Sequence, residues 1–305
     1  MDESKRTPVS VPPVAIADAR SLLRKYDLWP RKSLGQNFLV HPSAPDRIAE
    51  CARLSPDDTV LEVGAGLGTL TAALASRAGR VVAVETDAHL VDVLQAELGN
   101  VERIDIVHGD ILELDPSQLL GVVPSGSDAH PALWGPRLPH YRVVANLPYY
   151  ITNAVVRHLL EASVRPMQMV VTVQLEVAQR MVAGPGDMSL LAVSVQFYGV
   201  PKICFKLKRG AFHPAPSVVS AVVRLDLHDE MPVAVEDVAL FFRVVKAGFS
   251  QRRKQLRNSL STGLALAPNA VSSAMGATVD PRRRAETLSI REWGDICAAL
   301  RPLLS

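Results

Sequence analysis

The chain has 305 residues, is 48% hydrophobic and 21% charged, and carries a formal net charge of +2 at pH 7. That length gives one large or two ordinary domains with ample core, and the near-average composition excludes disordered and fibrous classes. No apolar run approaches the roughly 18 residues of a membrane helix. The N-terminus lacks a secretory h-region. Cys51, Cys204 and Cys297 lie far apart and outside any CxxC spacing. A disulfide framework or zinc knuckle is therefore not expected, and the cytoplasm is the default compartment.

Residues 1–18 are Pro-rich and unpatterned, which reads as a flexible arm. Next comes ARSLLRKYDLWPRKSLGQNFLV (19–40), in which Arg20, Arg24, Lys25, Arg31 and Lys32 face only Asp27. From Thr59 onward, short β-branched runs alternate with helix-like stretches. The runs are TVLEV (59–63), RVVAVE (80–85), IDIVH (104–108), YRVVAN (141–146) and MVVTVQ (169–174). Continuous Val-rich runs between amphipathic segments indicate a parallel sheet buried on both faces, hence a doubly wound, Rossmann-like α/β domain over 19–226. KICFKL (202–207) and SVVSAVVRLD (217–226) are expected to add antiparallel strands at one edge. Beyond Asp226 the strand signal stops. The stretches 237–266 and 291–304 read as helices, so a small all-helical domain is expected over 227–305. Residues 116–141 are rich in Pro, Gly and Ser and read as a long surface excursion.

VLEVGAGLGTLT places Gly64, Gly66 and Gly68 directly after a strand and before a helix, where the backbone must turn tightly and a ligand must come close. A dinucleotide fingerprint wants its third glycine where this chain has Thr69. Glu85, ending the second strand, offers a carboxylate to ribose hydroxyls. Asp110, after the third strand, can accept a hydrogen bond from an adenine amino group. Glycine loop, acid and second acid at successive strand ends suit S-adenosylmethionine better than NAD. The plain alternative is a βα turn with two solvated acids.

After the fourth strand come Asn146, Leu147, Pro148 and Tyr149. Pro148 fixes its own φ and lacks a donor, which leaves the Leu147 carbonyl free to face a ligand. With the Asn146 side-chain oxygen, that carbonyl can accept both hydrogens of a planar exocyclic amine. Such an amine is a weak nucleophile because its lone pair is delocalised into the ring. Two acceptors hold it in line with a sulfonium methyl, so catalysis is mainly positioning and electrostatics. Tyr149 offers a face for base stacking. The alternative is a proline turn with Asn146 as a helix cap.

Together, SLGQNFL (33–39), VLEVGAGLGTLT, VVAVE, HGDIL, NLPYYI, FHPAPSVVSAVVRL (212–225) and FSQRRKQLRNSL (249–260) closely resemble the ribosomal-RNA adenine dimethyltransferases of the KsgA type, over about residues 20–300. The resemblance implies dimethylation of two adjacent adenines in the 3′-terminal hairpin of 16S rRNA in the 30S subunit. It implies S-adenosylmethionine as donor, S-adenosylhomocysteine as product, no metal, a cytoplasmic monomer and no membrane partner. Carried over by position, Asn37 and Leu39 would line the methionine end of the cofactor. Gly64 and Gly66 would form the loop, Glu85 would meet the ribose, and Asp110 and Ile111 the adenine. Asn146 would border both the cofactor and the target amine, with the Leu147 carbonyl beside it and Pro148 shaping the turn. Tyr149 and Phe212 would sandwich a flipped base; the alternative for Phe212 is a core aromatic beside a Pro-rich turn. Arg252, Arg253, Lys254 and Arg257, on one expected helix, would contact RNA phosphates. AGPGDMSLLAVSVQ (183–196) departs from the family by lacking its usual Ser-Lys-x-Tyr-Gly stretch.

Two rival readings are an erythromycin-resistance type 23S rRNA methyltransferase and a non-catalytic RNA-binding assembly factor or mitochondrial-type transcription factor. A small-molecule methyltransferase would have no use for the basic helical domain. His41, His108 and His213 join no ligand constellation, and Cys204 reads as a small core residue rather than a nucleophile. The near-neutral total conceals a division. Residues 41–120 hold 5 Lys/Arg against 14 Asp/Glu, whereas residues 200–260 hold 11 against 5 and residues 20–37 hold 5 against 1. Basic stretches outside the cofactor half suit a polyanion partner.

Overall fold

The structure, a computed structural model, describes residues 11–31, 34–122 and 138–304. Its elements in chain order are α1 (Ala19–Lys25), β1 (Phe38–Leu39), α2 (Ala44–Cys51), β2 (Thr59–Val63), α3 (Thr69–Ala75), β3 (Arg80–Glu85), α4 (Ala88–Leu98) and β4 (Ile104–His108). There follow α5 (Pro116–Leu120), β5 (Tyr141–Asn146), α6 (Thr152–Leu160), β6 (Gln168–Gln174), α7 (Leu175–Met181), α8 (Leu190–Tyr198), β7 (Gly199–Leu207), β8 (Phe212–His213) and β9 (Ser220–Leu227). Helices α9 (Val238–Phe249), α10 (Leu256–Leu264), α11 (Pro268–Met275) and α12 (Ile290–Leu300) complete the described chain.

The main sheet has seven strands in the order β4-β3-β2-β5-β6-β9-β7, with parallel pairing from β4 through β6. The expected doubly wound α/β sheet is present. From β2 the chain winds outward through β3 to β4, then returns to β5 on the other side of β2. That reversal opens a crevice at the carboxyl ends of β2 and β5, where ligands bind in such sheets. The strands can carry Val on both faces because helices cover both: Val81, Val82, Val143, Val144 and Val170 are fully buried.

Two compact units make up the chain: the described residues up to 122 with 138–175 and 204–224, and residues 176–203 with 225–304. The second unit is thus wider than the 227–305 span read from the loss of strand signal. Its aromatic cluster explains the difference, since Phe197 at the end of α8 stacks on Phe241 of α9, with ring centroids 4.7 Å apart.

The structure corrects three further expectations. The second half of the supposed arm is docked: the Val14 N–H donates to Ser76 Oγ at 2.8 Å, and Val14 and Ile16 lie on the apolar core. Residues 1–10 lie outside the described part, as does most of the 116–141 excursion, whose start forms α5. Cys51 and Cys204, 153 residues apart, form a disulfide joining α2 to β7, a pairing their sequence spacing does not reveal. The stretch read as one helix over 237–266 breaks at 250–255. There the Leu256 and Arg257 N–H groups donate to the carbonyls of Arg283 and Pro281, at 2.7 and 3.0 Å, instead of continuing α9. No helix among the described residues is long and apolar enough to cross a membrane.

Gly68 sits at the junction that aims α3 at the crevice. Its φ is +81°, and a Cβ there would stand 2.8 Å from Leu98 Cδ1 and 2.9 Å from Leu94 Cδ2. Left-handed strain and overpacking add, so Gly68→Ala is expected to destabilise the chain by about 2–4 kcal/mol. Denaturant unfolding of the two proteins side by side measures this.

Candidate active site

A pocket opens at that crevice, and the first unit supplies all its walls. One wall is the glycine loop. Gly64, Gly66 and Gly68 all have positive φ, +74°, +59° and +81°, so the loop takes a course that side chains with a Cβ resist. The Gly64 N–H donates to the Val84 carbonyl at 2.9 Å, and the Gly66 N–H donates to Glu85 Oε2 at 2.8 Å. Glu85 also accepts from the Thr86 and Asp87 N–H groups through Oε1, at 2.9 and 3.0 Å. Burial pushes its carboxyl up from the usual range, opposed by these three donors. The backbone carbonyl of Glu85 takes the Gly109 N–H at 3.0 Å, which sets the turn bearing Asp110 and Ile111 at the pocket edge. Asp110 Oδ1 accepts from the Leu112 N–H at 2.9 Å, which fixes the carboxylate's direction.

The opposite wall is the 34–39 segment. Gln36 bridges it to the start of α4: its Nε2 donates to Asp87 Oδ2 at 2.9 Å, while its Oε1 accepts from the Arg31 N–H at 2.8 Å. Beyond this brace, β1 pairs antiparallel with β8, setting Leu39 opposite Phe212. Phe212 is therefore core and pocket wall at once, only 3% exposed yet bordering the cavity.

The third wall is the turn after β5. Asn146 Nδ2 donates to the main-chain carbonyl of Asn37 at 3.3 Å, so its Oδ1 remains as the acceptor. The Asn37 side chain is occupied locally, donating to the Gly35 carbonyl at 2.9 Å. The Pro148 carbonyl accepts from the Ile151 N–H and from Thr152 Oγ1, both at 3.2 Å, which pins the turn onto the start of α6. The Tyr149 hydroxyl lies 2.6 Å from Ser220 Oγ on β9, and burial raises its pKa. Its half-buried ring borders the pocket.

All the residues assigned to cofactor and target from the sequence line this one pocket, from Asn37 and Leu39 to Tyr149 and Phe212. The four basic residues assigned to RNA lie instead in the second unit. Arg252, Arg253 and Lys254 sit in the turn between α9 and α10, and only Arg257 is helical, which corrects their expected placement on one helix. All four are exposed, and Arg252 lies 3.6 Å from Glu286. Several residues that build the site carry no assignment from the sequence, Gln36 and Tyr150 among them. Asp87, which braces the pocket wall, had a readable signal: an acid just after a strand and before a helix, the position of a helix cap. Glu62 is hidden within an apolar strand run. It is 1% exposed, borders the pocket, and its Oε2 has no hydrogen-bond partner among the described residues. Burial pushes its carboxyl up to about 8.

A family profile described as "Ribosomal RNA adenine dimethylase" matches residues 29–301. The chain belongs to that family. It is thereby an rRNA adenine dimethyltransferase, of a methyltransferase family that uses S-adenosylmethionine. "Ribosomal RNA small subunit methyltransferase A" of Dehalococcoides mccartyi (strain ATCC BAA-2100 / JCM 16839 / KCTC 5957 / BAV1) is 42% identical over 95% of this chain and 94% of its own length. The protein of the same name from Moorella thermoacetica is 43% identical, over 92% and 96%. Among solved structures, the 23S rRNA methyltransferase ErmE superposes with a TM-score of 0.66 at 28% identity, covering 87% of this chain and 100% of ErmE. A dimethyladenosine transferase from Plasmodium falciparum shares the fold, with a TM-score of 0.70 at 20% identity over 86% of this chain and 96% of its own.

Glu62 gives this rRNA adenine dimethylase a pH dependence whose sign is fixed. A raised folded-state pKa means that the folded chain binds the proton more tightly than the unfolded chain. The associated stability is complete below the ordinary pKa of 4.5 and is lost as pH rises toward about 8. Glu62→Gln is therefore expected to match wild type near pH 4.5 and to melt higher at pH 8, by on the order of 5 °C. Thermal midpoints across that range check this; a constant offset at all pH values would contradict it.

Proposed function

We propose that this chain transfers methyl groups from S-adenosylmethionine to the exocyclic amines of two adjacent adenines in the 3′-terminal hairpin of 16S rRNA, within the 30S subunit, giving dimethyladenines. The observation that carries the reading is the Asn146 amide. Its nitrogen is committed to the Asn37 carbonyl, so its oxygen is presented as an acceptor at the pocket wall shared by both predicted ligands.

The residues present suit the cofactor. The bare glycine loop admits close approach, and Glu85, already holding that loop, keeps lone pairs for ribose hydroxyls. Asp110 stands at the third strand end for the adenine amine, beside Ile111, which is buried and apolar. Asn37 and Leu39 border the end expected for the methionine moiety. When bound, the cofactor supplies a sulfonium methyl. Asn146 Oδ1 and the Leu147 carbonyl accept the hydrogens of the target amine and hold its nitrogen toward that methyl. They also favour the more tetrahedral nitrogen as the new N–C bond would form and the methyl's S–C bond break, leaving S-adenosylhomocysteine, with one proton of the nitrogen passing to solvent. After one transfer the amine keeps one N–H, which still has an acceptor for a second round. Tyr149, its ring held by the bond to Ser220, and Phe212, held by core packing, bracket the flipped base. The exposed Arg252, Arg253, Lys254 and Arg257 supply phosphate contacts, which makes binding salt-dependent. We place the enzyme in the cytoplasm, acting as a monomer and without a metal. The small-subunit relatives, at 42–43% identity, favour 16S over 23S rRNA as substrate.

Labelled methyl from the cofactor is expected to enter under-methylated 30S particles and not 50S particles. Label confined to large-subunit RNA would overturn the small-subunit assignment. Asn146→Ala is expected to lower kcat by at least about 100-fold while cofactor affinity measured by calorimetry stays near wild type. Normal transfer by that variant would remove Asn146 from the amine-acceptor role.

A further inference from the structure

We propose that Tyr150 is a stacking platform for the nucleotide next to the target adenine, and so a positioning residue for RNA at the mouth of the pocket. This rests on the reading of the site as an rRNA adenine site. Consecutive tyrosines here have opposite environments. Tyr149 is half-buried and tied to Ser220, whereas Tyr150 borders the same pocket yet is 67% exposed, one of the most exposed large hydrophobic side chains among the described residues. An aromatic ring left in water at the rim of a pocket forfeits hydrophobic stabilisation that a bound apolar face would restore.

The ring is nonetheless held. A Cβ built on Gly35 would stand 3.0 Å from Tyr150 Cε1, 3.1 Å from its Cδ1 and 3.3 Å from Pro148 Cβ. Those two ring atoms share one edge, so the bare Cα of Gly35, at φ +60°, seats the ring by that edge beside Pro148. The backbone beneath is fixed as well, because the preceding proline carbonyl is bonded to Ile151 and Thr152. Tyr150 is thus an aromatic seated along one edge with an open surface, so a base meets a ring already placed at the rim.

The occupant follows from the chemistry of the neighbouring cavity. When one base is drawn into the pocket, the chain that carries it continues past the mouth, and the adjoining base loses the stacking partner that was flipped out. A tyrosine face accepts any base, because every base presents a π-face. That tolerance suits a substrate with two adjacent adenines: whichever one enters the pocket, the neighbouring nucleotide can rest on the same ring.

Steady-state methyl transfer to under-methylated 30S particles by wild type, Tyr150→Ala and Tyr150→Phe tests the assignment. Tyr150→Ala is expected to raise KM for the particle about 5- to 100-fold, with a smaller change in kcat and with cofactor affinity by calorimetry within about twofold of wild type. Tyr150→Phe is expected to restore KM to within about threefold, since the ring face and not the hydroxyl is used. An unchanged KM in Tyr150→Ala overturns the proposal, as does a phenylalanine variant as impaired as the alanine one. A parallel loss of cofactor affinity would assign the ring to the cofactor instead. Failure of wild type itself to label 30S particles would overturn the underlying reading, and this inference with it.

Discussion

The site depends on one buried carboxylate. Glu85 ends a central strand, and its two oxygens hold three backbone N–H groups: one from the glycine loop after β2 and two from the turn leading into α4. Its main-chain carbonyl holds a fourth, from the turn after β4. One residue thus gathers the loops at three successive strand ends. Burying a carboxylate costs several kcal/mol, and charge-assisted hydrogen bonds contribute about 1.5–3 kcal/mol each, so three of them roughly offset that cost. The remaining lone pairs stay available to a ligand. The group that shapes the loop is the same group proposed to meet the ribose.

A second tie completes the enclosure. Asp87 caps α4 and, through Gln36 and Arg31, holds the 34–39 segment against the sheet's carboxyl edge. That segment in turn orients Asn146 through the Asn37 carbonyl. The amide's direction is therefore set by backbone lying 109 residues earlier in the chain, on a wall braced by a helix cap. Precise placement of an acceptor matters because transfer to a weak nucleophile gains from geometry rather than from acid–base chemistry.

Local signals were read well from the sequence, and long-range ones were not. The runs 59–63, 80–85, 104–108 and 141–146 match β2, β3, β4 and β5 residue for residue, because short β-branched runs bounded by turns are a local signal; β2, β3 and β5 are largely buried on both faces, whereas β4 is an edge strand and only partly buried. The glycine loop, Glu85, Asp110 and NLPY were legible because strand-end position and residue chemistry are both local. Glu62 was not, since an acid inside TVLEV carries no sign of what surrounds it. The break after α9 depends on carbonyls near residue 282, and the placement of α8 depends on which aromatic ring Phe197 meets. The pairing of Cys51 with Cys204 is likewise decided by the fold. The dual position of Phe212, in the core and at the pocket, follows from a two-residue strand too short for any periodicity to reveal.

Carboxylates and carbonyls line the pocket, while the exposed cations proposed to meet RNA phosphates, Arg252, Arg253, Lys254 and Arg257, lie in the second unit, so a total charge near zero is compatible with an RNA substrate. The function proposed for the pocket is methylation of two adjacent adenines near the 3′ end of 16S rRNA. The most direct test is mass-spectrometric mapping of nucleotides in 30S RNA from under-methylated particles, before and after incubation with the protein and S-adenosylmethionine. Two neighbouring N6,N6-dimethyladenosines in the 3′-terminal hairpin, and no other new modification, are expected. Modification of a single isolated base, or of bases elsewhere in the RNA, would contradict it.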